Sequence, residues 1–292
     1  MIRIITTVVL AASVSLSFGQ TEQIKNKNGV DIMPVAGEFG LGFNAVPVFN
    51  YVGDVFGFTG NNTEMGSDKF VDYFSMNTIF GKYMLTESTA IRGHFRLGQY
   101  NGSYQNDLFN DATNNPDSLV MDTYKSKNSI FNLGVGYEFR RGKTRLRGIY
   151  GGELMYQYQS GLSQNFTYGN GFGNGNPAPT STEWLENGQV DSELALGERI
   201  TTLNNGNFHG LGIRAFAGVE YYLAPKICLG GEFGWGFMGG FSSETTTATE
   251  FWNPTADGTG AVQTNEFVGS RSRTFTADTD NFGGSLYFMF YF

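Results

Sequence analysis

The sequence predicts an all-β protein: a closed antiparallel transmembrane β-barrel of about eight strands, with short turns at one end and long loops at the other. Three observations predict it. Segments of roughly ten residues alternate apolar side chains with small or charged ones, as a strand between lipid and lumen requires. Short and long connections between these segments alternate along the chain. Nearly all charges inside the segments fall on one face.

Composition agrees. Of 292 residues 40% are hydrophobic, yet no window past the N-terminal segment is continuously apolar. A membrane-spanning helix needs about 20 consecutive apolar residues, so helical spans are not expected beyond the first segment. Aromatics at 15%, 41 glycines and only 7 prolines favour strands and turns. The net charge of −8 argues against nucleic acid as a partner, because phosphates demand a basic footprint. With one cysteine, Cys228, no intrachain disulfide can form.

Residues 1–19 carry Arg3, an apolar run from Ile4 to Leu16, and Ser17-Phe18-Gly19, with small residues at −3 and −1 before Gln20. This is the layout of a cleavable secretory signal. Residues 20–35 read as a polar lead-in and residues 36–292 as the barrel.

The first strand is read over Glu38–Asn44, where Phe39, Leu41 and Phe43 alternate with Glu38, Gly40 and Gly42. The second, Tyr73–Met84, turns Ile79, Gly81 and Tyr83 outward and Lys82 inward, and Phe80 breaks the pattern. In the third, Ile91, Phe95 and Leu97 oppose Arg92, His94 and Arg96. In the fourth, Phe131, Leu133, Val135, Tyr137 and Phe139 oppose Asn132, Gly134, Gly136, Glu138 and Arg140. The fifth sets Leu146, Tyr150, Leu154, Tyr156 and Tyr158 against Arg145, Arg147, Ile149, Gly151, Glu153 and Gln157. The sixth sets Leu211, Ile213, Ala215, Val219 and Tyr221 against Gly210, Gly212, Arg214, Phe216, Gly218 and Glu220. In the seventh, Ile227 to Phe237 alternates with Lys226, Cys228, Gly230, Glu232, Gly234 and Gly236. The eighth, Asn281–Phe292, places Leu286, Phe288, Phe290 and Phe292 opposite Ser285, Tyr287, Met289 and Tyr291.

Energy decides the facing. Slipping the third segment by one residue would send Arg92 and Arg96 into lipid, at roughly 2–4 kcal/mol each near the midplane. A soluble sandwich would carry Lys, Glu and Thr on its polar face. Here that face is mostly glycine with isolated charges, which suits the tight interior of a small closed barrel. Short connections fall at Thr86–Glu87, Arg141–Lys143 and Ala224–Pro225, whereas 45–72, 101–127, 160–206 and 239–280 read as long polar loops.

On the Ser17-Phe18-Gly19-Gln20 junction, the Phe80-Gly81-Lys82-Tyr83 strand end and the closing Leu286-Tyr287-Phe288-Met289-Phe290-Tyr291-Phe292, the chain resembles OmpA/OmpX-type eight-stranded barrels, and more closely the bacteroidete-type outer-membrane β-barrel proteins. The resemblance covers residues 36–292 and is architectural. It implies a bacterial outer-membrane location and contact with outer-membrane lipid and lipopolysaccharide. It also implies a barrel-assembly machinery that reads Phe288, Phe290 and Phe292 on the last strand.

The charges expected in the lumen are Glu38, Lys82, Arg92, Arg96, Glu138, Arg140, Arg145, Arg147, Glu153, Arg214, Glu220 and Glu232. Isolated charges are costly in a narrow interior, so opposite signs should pair. One reading is a salt-bridge network that plugs the lumen. The alternative is a narrow porin-like path for ions or small solutes. A third, an outer-membrane enzyme acting on lipid A or peptides, finds no catalytic grouping. His209 has Leu211, not Ser, two residues on, and His94 sits among arginines with no carboxylate adjacent in sequence. Asp107, Asp111 and Asp117 do not follow the spacing of a calcium loop and read as solvated acids. Gly169–Gly175 lacks a Gly-Lys-Ser/Thr ending and reads as a flexible loop, and Cys228 as inward packing. No cofactor or metal is expected. Arg140, Arg141, Lys143, Arg145 and Lys226 gather at the short-turn end. Asp54, Glu64, Asp68, Glu183, Glu186, Asp191, Glu193, Glu244 and Glu250 fall in the predicted loops, which would meet an extracellular ligand.

Overall fold

The structure is a computed structural model and describes residues 24–45, 79–113, 115, 117–185, 188–256, 259–278 and 285–292. The predicted export signal lies outside the described residues, as do 46–78, 281–284 and Glu186. With 46–78 go the start of the second predicted segment and Asp54, Glu64 and Asp68. Among the described residues every regular element is a strand. In chain order they are β1 Phe39–Asn44, β2 Ile79–Thr86, β3 Thr89–Phe109, β4 Leu119–Arg141 and β5 Leu146–Gln159. Next come β6 Ser163–Thr167, β7 Thr180–Trp184, β8 Val190–Ala195, β9 Glu198–Asn204 and β10 Phe208–Ala224. The last are β11 Ile227–Ser242, β12 Thr246–Pro254, β13 Gly260–Val268, β14 Ser272–Asp278 and β15 Ser285–Tyr291.

Eight strands pair antiparallel in the cyclic order β1-β2-β3-β4-β5-β10-β11-β15, and β15 returns to β1 through pairs such as Leu41↔Phe290. Tight turns join β2 to β3, β4 to β5 and β10 to β11 at one end of this ring. The last of these places Lys226 at a φ of 64°, next to Pro225.

Side-chain facing follows the predicted alternation. Leu41, Ile91, Val135, Leu154, Ile213, Trp235 and Phe290 are all exposed on the outside of the ring. The opposite parity is buried and includes Lys82, Arg92, Arg140, Glu138 and Glu220. Phe80, which broke the sequence pattern, belongs to the interior: it is 3% exposed and packs on Tyr287 with ring centroids 5.4 Å apart. A glycine-rich inner face leaves room for long groups. A Cβ at Gly134 would land on the His94 ring, and one at Gly234 on the Arg214 guanidinium.

Two expectations are corrected. The 20–35 stretch is more than a polar lead-in. Residues 26–30 form a turn on the Asn26 side chain, which accepts from the Asn28 and Val30 amides, and Ile32 and Met33 then bury at the short-turn end of the ring. There they join an apolar cluster with Met84, Ile149, Tyr222, Cys228 and Met289, and the Ile32 carbonyl accepts from the Lys226 amide at 2.9 Å.

Three of the predicted long loops are also largely strand. β3 and β4 run eleven residues past the ring as a hairpin paired from Gln99↔Ser129 to Phe109↔Leu119. β5 continues into β6, β10 into β9 and β11 into β12 through three-residue jogs, as does β14, which pairs with β11 beyond the ring strand β15, into β13. The outer sheet order β3-β4-β6-β9-β12-β13 thereby repeats the order β3-β4-β5-β10-β11-β14 on the other side of the jogs. These outer strands are rich in Thr, Ser, Asn and Gln, which pair as well as apolar residues do but leave no period-two hydrophobic signal.

Candidate functional site: a buried charge network and its two end covers

Six ring strands send ionised side chains into the interior: Lys82 from β2, Arg92 from β3, Glu138 and Arg140 from β4, Glu153 from β5, Arg214 and Glu220 from β10, and Glu232 from β11. Strand alternation aims them inward, and antiparallel register brings them to neighbouring levels, as in the direct pairs Arg214↔Glu153 and Lys82↔Arg92.

The contacts form one connected web. Nearest the short-turn end, Lys82 Nζ lies 2.5 Å from Glu220 and 2.7 Å from Glu138. Arg140 reaches Glu220 at 2.5 Å, donates to the Tyr291 hydroxyl at 2.9 Å and also contacts the Tyr222 hydroxyl. The Tyr287 hydroxyl donates to Glu220 at 2.9 Å. At the centre Arg92 grips Glu232 with two bonds of 2.7 and 2.9 Å, lies 3.4 Å from Glu138, and stacks 4.0 Å above the Phe216 ring. Toward the far end Arg214 bridges Glu153 at 2.7 Å and Glu232 at 2.9 Å. Four cations thus meet four carboxylates, so the web carries no formal net charge. Pairing of this kind offsets the several kcal/mol that each ion loses on leaving water.

The remaining predicted charges lie elsewhere. Glu38 pairs with Lys226 at 2.5 Å at the edge of the short-turn end, where both are partly exposed. Arg147 is buried but turns to Met33 Sδ and the Gly142 carbonyl. Arg145, at the turn, donates to the Leu223 carbonyl. Arg96 is buried opposite Asn132, further from the turns. His94 has no carboxylate adjacent in sequence, but its Nδ1 lies 3.5 Å from Glu153, two strands away on β5. Nothing in the spacing of β3 and β5 announces that contact. His209 instead stacks on the outward Phe241 ring at 5.1 Å and bonds the Tyr156 hydroxyl at 3.0 Å. Cys228 is fully buried. On the last strand Phe288 and Phe290 pack on Phe43, and Phe292 on Phe39.

Far from the turns, the interior parity of β4 continues through Ser126, Tyr124 and Asp122, all buried. The β7–β8 hairpin covers this face. Trp184 stacks on Tyr124 at 5.8 Å, and Asp122 accepts the Thr182 amide at 2.8 Å and the Gly169 amide at 2.7 Å. Two loop readings change accordingly. Asp111 is not simply solvated, because it accepts from Asn176 at 2.8 Å and the Thr180 amide at 2.7 Å. The Gly169–Gly175 stretch is anchored by Asn170, 3% exposed, which bonds Asp111, Phe109 and Thr180. Arg199 is also buried here; it pairs with Glu250 at 2.8 Å and lies over the Tyr168 and Phe172 rings. Burial raises the Tyr168 phenol well above its ordinary range despite the pull of Arg199.

Comparison with protein-family models, curated proteins and solved structures finds no match. Among the described residues no group of His, Cys, Asp and Glu is arranged to hold a metal ion.

Proposed function

We propose that the ring is a transmembrane β-barrel of a bacterial outer membrane, exported by its N-terminal signal. It acts as a structural and surface-interaction protein through its folded outer strands, with a lumen plugged by the charge network. The observation that carries this reading is the inversion of polarity. Eight ionised groups lie inside the ring, seven of them buried and Arg214 partly so, while Leu, Ile, Val, Phe and Trp side chains stand exposed around its outside. In water that surface would far exceed the apolar patches monomers expose, whereas in lipid it is the required solvent face. Aromatic residues ring both ends of the apolar zone, with Tyr83, Tyr137 and Tyr150 toward the turns and Tyr156, Tyr158 and Phe241 toward the jogs. Such girdles mark the two lipid–water interfaces of barrels.

Plugging is favoured over a pore by closure at three levels: Ile32 and Met33 at the turn end, the charge web at mid-height, and the β7–β8 hairpin at the far end. Trp235 tests the membrane placement, since it is 43% exposed on the outer face of β11. In vesicles of bromine-labelled phosphatidylcholine its fluorescence is expected to be quenched, with the quenched component absent in Trp235→Phe. Equal emission in labelled and unlabelled vesicles would remove the membrane reading.

A further inference from the structure

Resting on the membrane placement just proposed, we infer that the junction of β11 and β14 is a docking cleft for an anionic, phosphate-bearing lipid. A cleft of about 510 Å³ opens there, with Gly239, Phe241, Arg271 and Arg273 in its lining. Register fixes the facing. Phe241 pairs directly with Arg273 and Gly239 with Phe275, so these four positions share one side of the sheet. That side is the outer one, because Phe241 is 54% and Phe275 75% exposed.

The lining changes character along the strand. Toward the ring it is an apolar trough. Gly239 lies between the exposed Leu211 on β10 and Phe275 on β14, and a Cβ at Gly239 would meet nothing within 4 Å. Phe237 and Phe275 stack at 6.2 Å along its edge. At the jog the same trough ends against Arg271 and Arg273, in a chain whose net charge is −8. A guanidinium pair at the upper edge of an apolar groove matches a phosphate carried on hydrocarbon: charge-assisted hydrogen bonds hold the headgroup, and the chain fills the space that Gly239 leaves open. Arg271 contacts Glu244 at 3.0 Å, but both are well exposed. A surface pair of that kind is worth little and exchanges readily for a phosphate. An acidic soluble ligand would use the arginines alone and leave the trough without purpose.

The test uses the full mature chain inserted in lipid nanodiscs of mixed phosphatidylglycerol and phosphatidylcholine, with retained lipid counted by native mass spectrometry. Phosphatidylglycerol should be enriched about tenfold on the protein, the size expected of one charge-assisted contact. Arg271→Glu with Arg273→Glu should abolish the enrichment, and Gly239→Trp should lower it while leaving both arginines in place. Added inorganic phosphate should not displace the lipid. Unchanged enrichment in the variants, or displacement by free phosphate, overturns the cleft while leaving the membrane reading intact. A chain that fails to insert at all overturns both.

Discussion

Glu220→Ala is expected to destabilise the folded chain by about 3–5 kcal/mol, the range for removing one partner from a buried ionic group. The carboxylate receives Lys82 at 2.5 Å, Arg140 at 2.5 Å and the Tyr287 hydroxyl at 2.9 Å. Its loss leaves four cations facing three carboxylates, with Glu138 the remaining anion beside both Lys82 and Arg140. The exposed Glu266 on β13 supplies the control, and its alanine variant should stay within about 0.5 kcal/mol of the parent. Replacing Lys82 and Glu220 together by methionine removes one charge of each sign. It should therefore cost less than the sum of the two single replacements. Urea titrations of the chain folded in vesicles measure all five variants. A Glu220→Ala cost near that of the control would mean that the web is not a coupled structural unit.

With the ring in a membrane as proposed, Ile213→Arg should cost about 2–4 kcal/mol and Phe267→Arg almost nothing, because only the first would then put its charge in lipid. The two residues are similarly exposed, Ile213 at 59% on the outer face of β10 and Phe267 at 57% on β13 in the outer sheet. In water both substitutions would be surface changes of the same small size. The difference between them is therefore a property of the solvent around the ring and not of the fold, and the same urea titration reads it. Equal effects at the two sites would place both in the same medium.

The ring was legible in the sequence because six of its eight strands set charged side chains on one face against apolar ones on the other. Arg92 and Arg96 fix the facing of β3, and Glu220 and Arg214 that of β10, without knowledge of any partner. Phe80 was not legible, since a bulky inward aromatic makes sense only beside the Tyr287 ring from a strand far away in the chain. The individual ion pairs were hidden for the same reason. Parity shows that Glu153 points inward, but the pairing of β5 with β10 decides that it meets Arg214, and His94 reaches it from two strands away. The outer sheet was missed on different grounds. Strands such as Thr246–Pro254 and Ser163–Thr167 are held by ladder pairing and by buried polar contacts like Gln164 to Tyr124 at 2.6 Å, so hydrophobic alternation passes over them. Ile32 and Met33 form too short an apolar step in a polar stretch to announce the end cover they make.

Single-channel recording in planar bilayers tests the closed lumen most directly. On the proposed plugging, the intact chain, inserted and folded, is expected to show no steady conductance. Glu153→Gln, which removes the carboxylate paired with Arg214 and lying 3.5 Å from His94, should at most add brief small openings. Sustained ohmic channels from the intact protein would contradict the plugged interior and make the row of paired charges a conduction pathway.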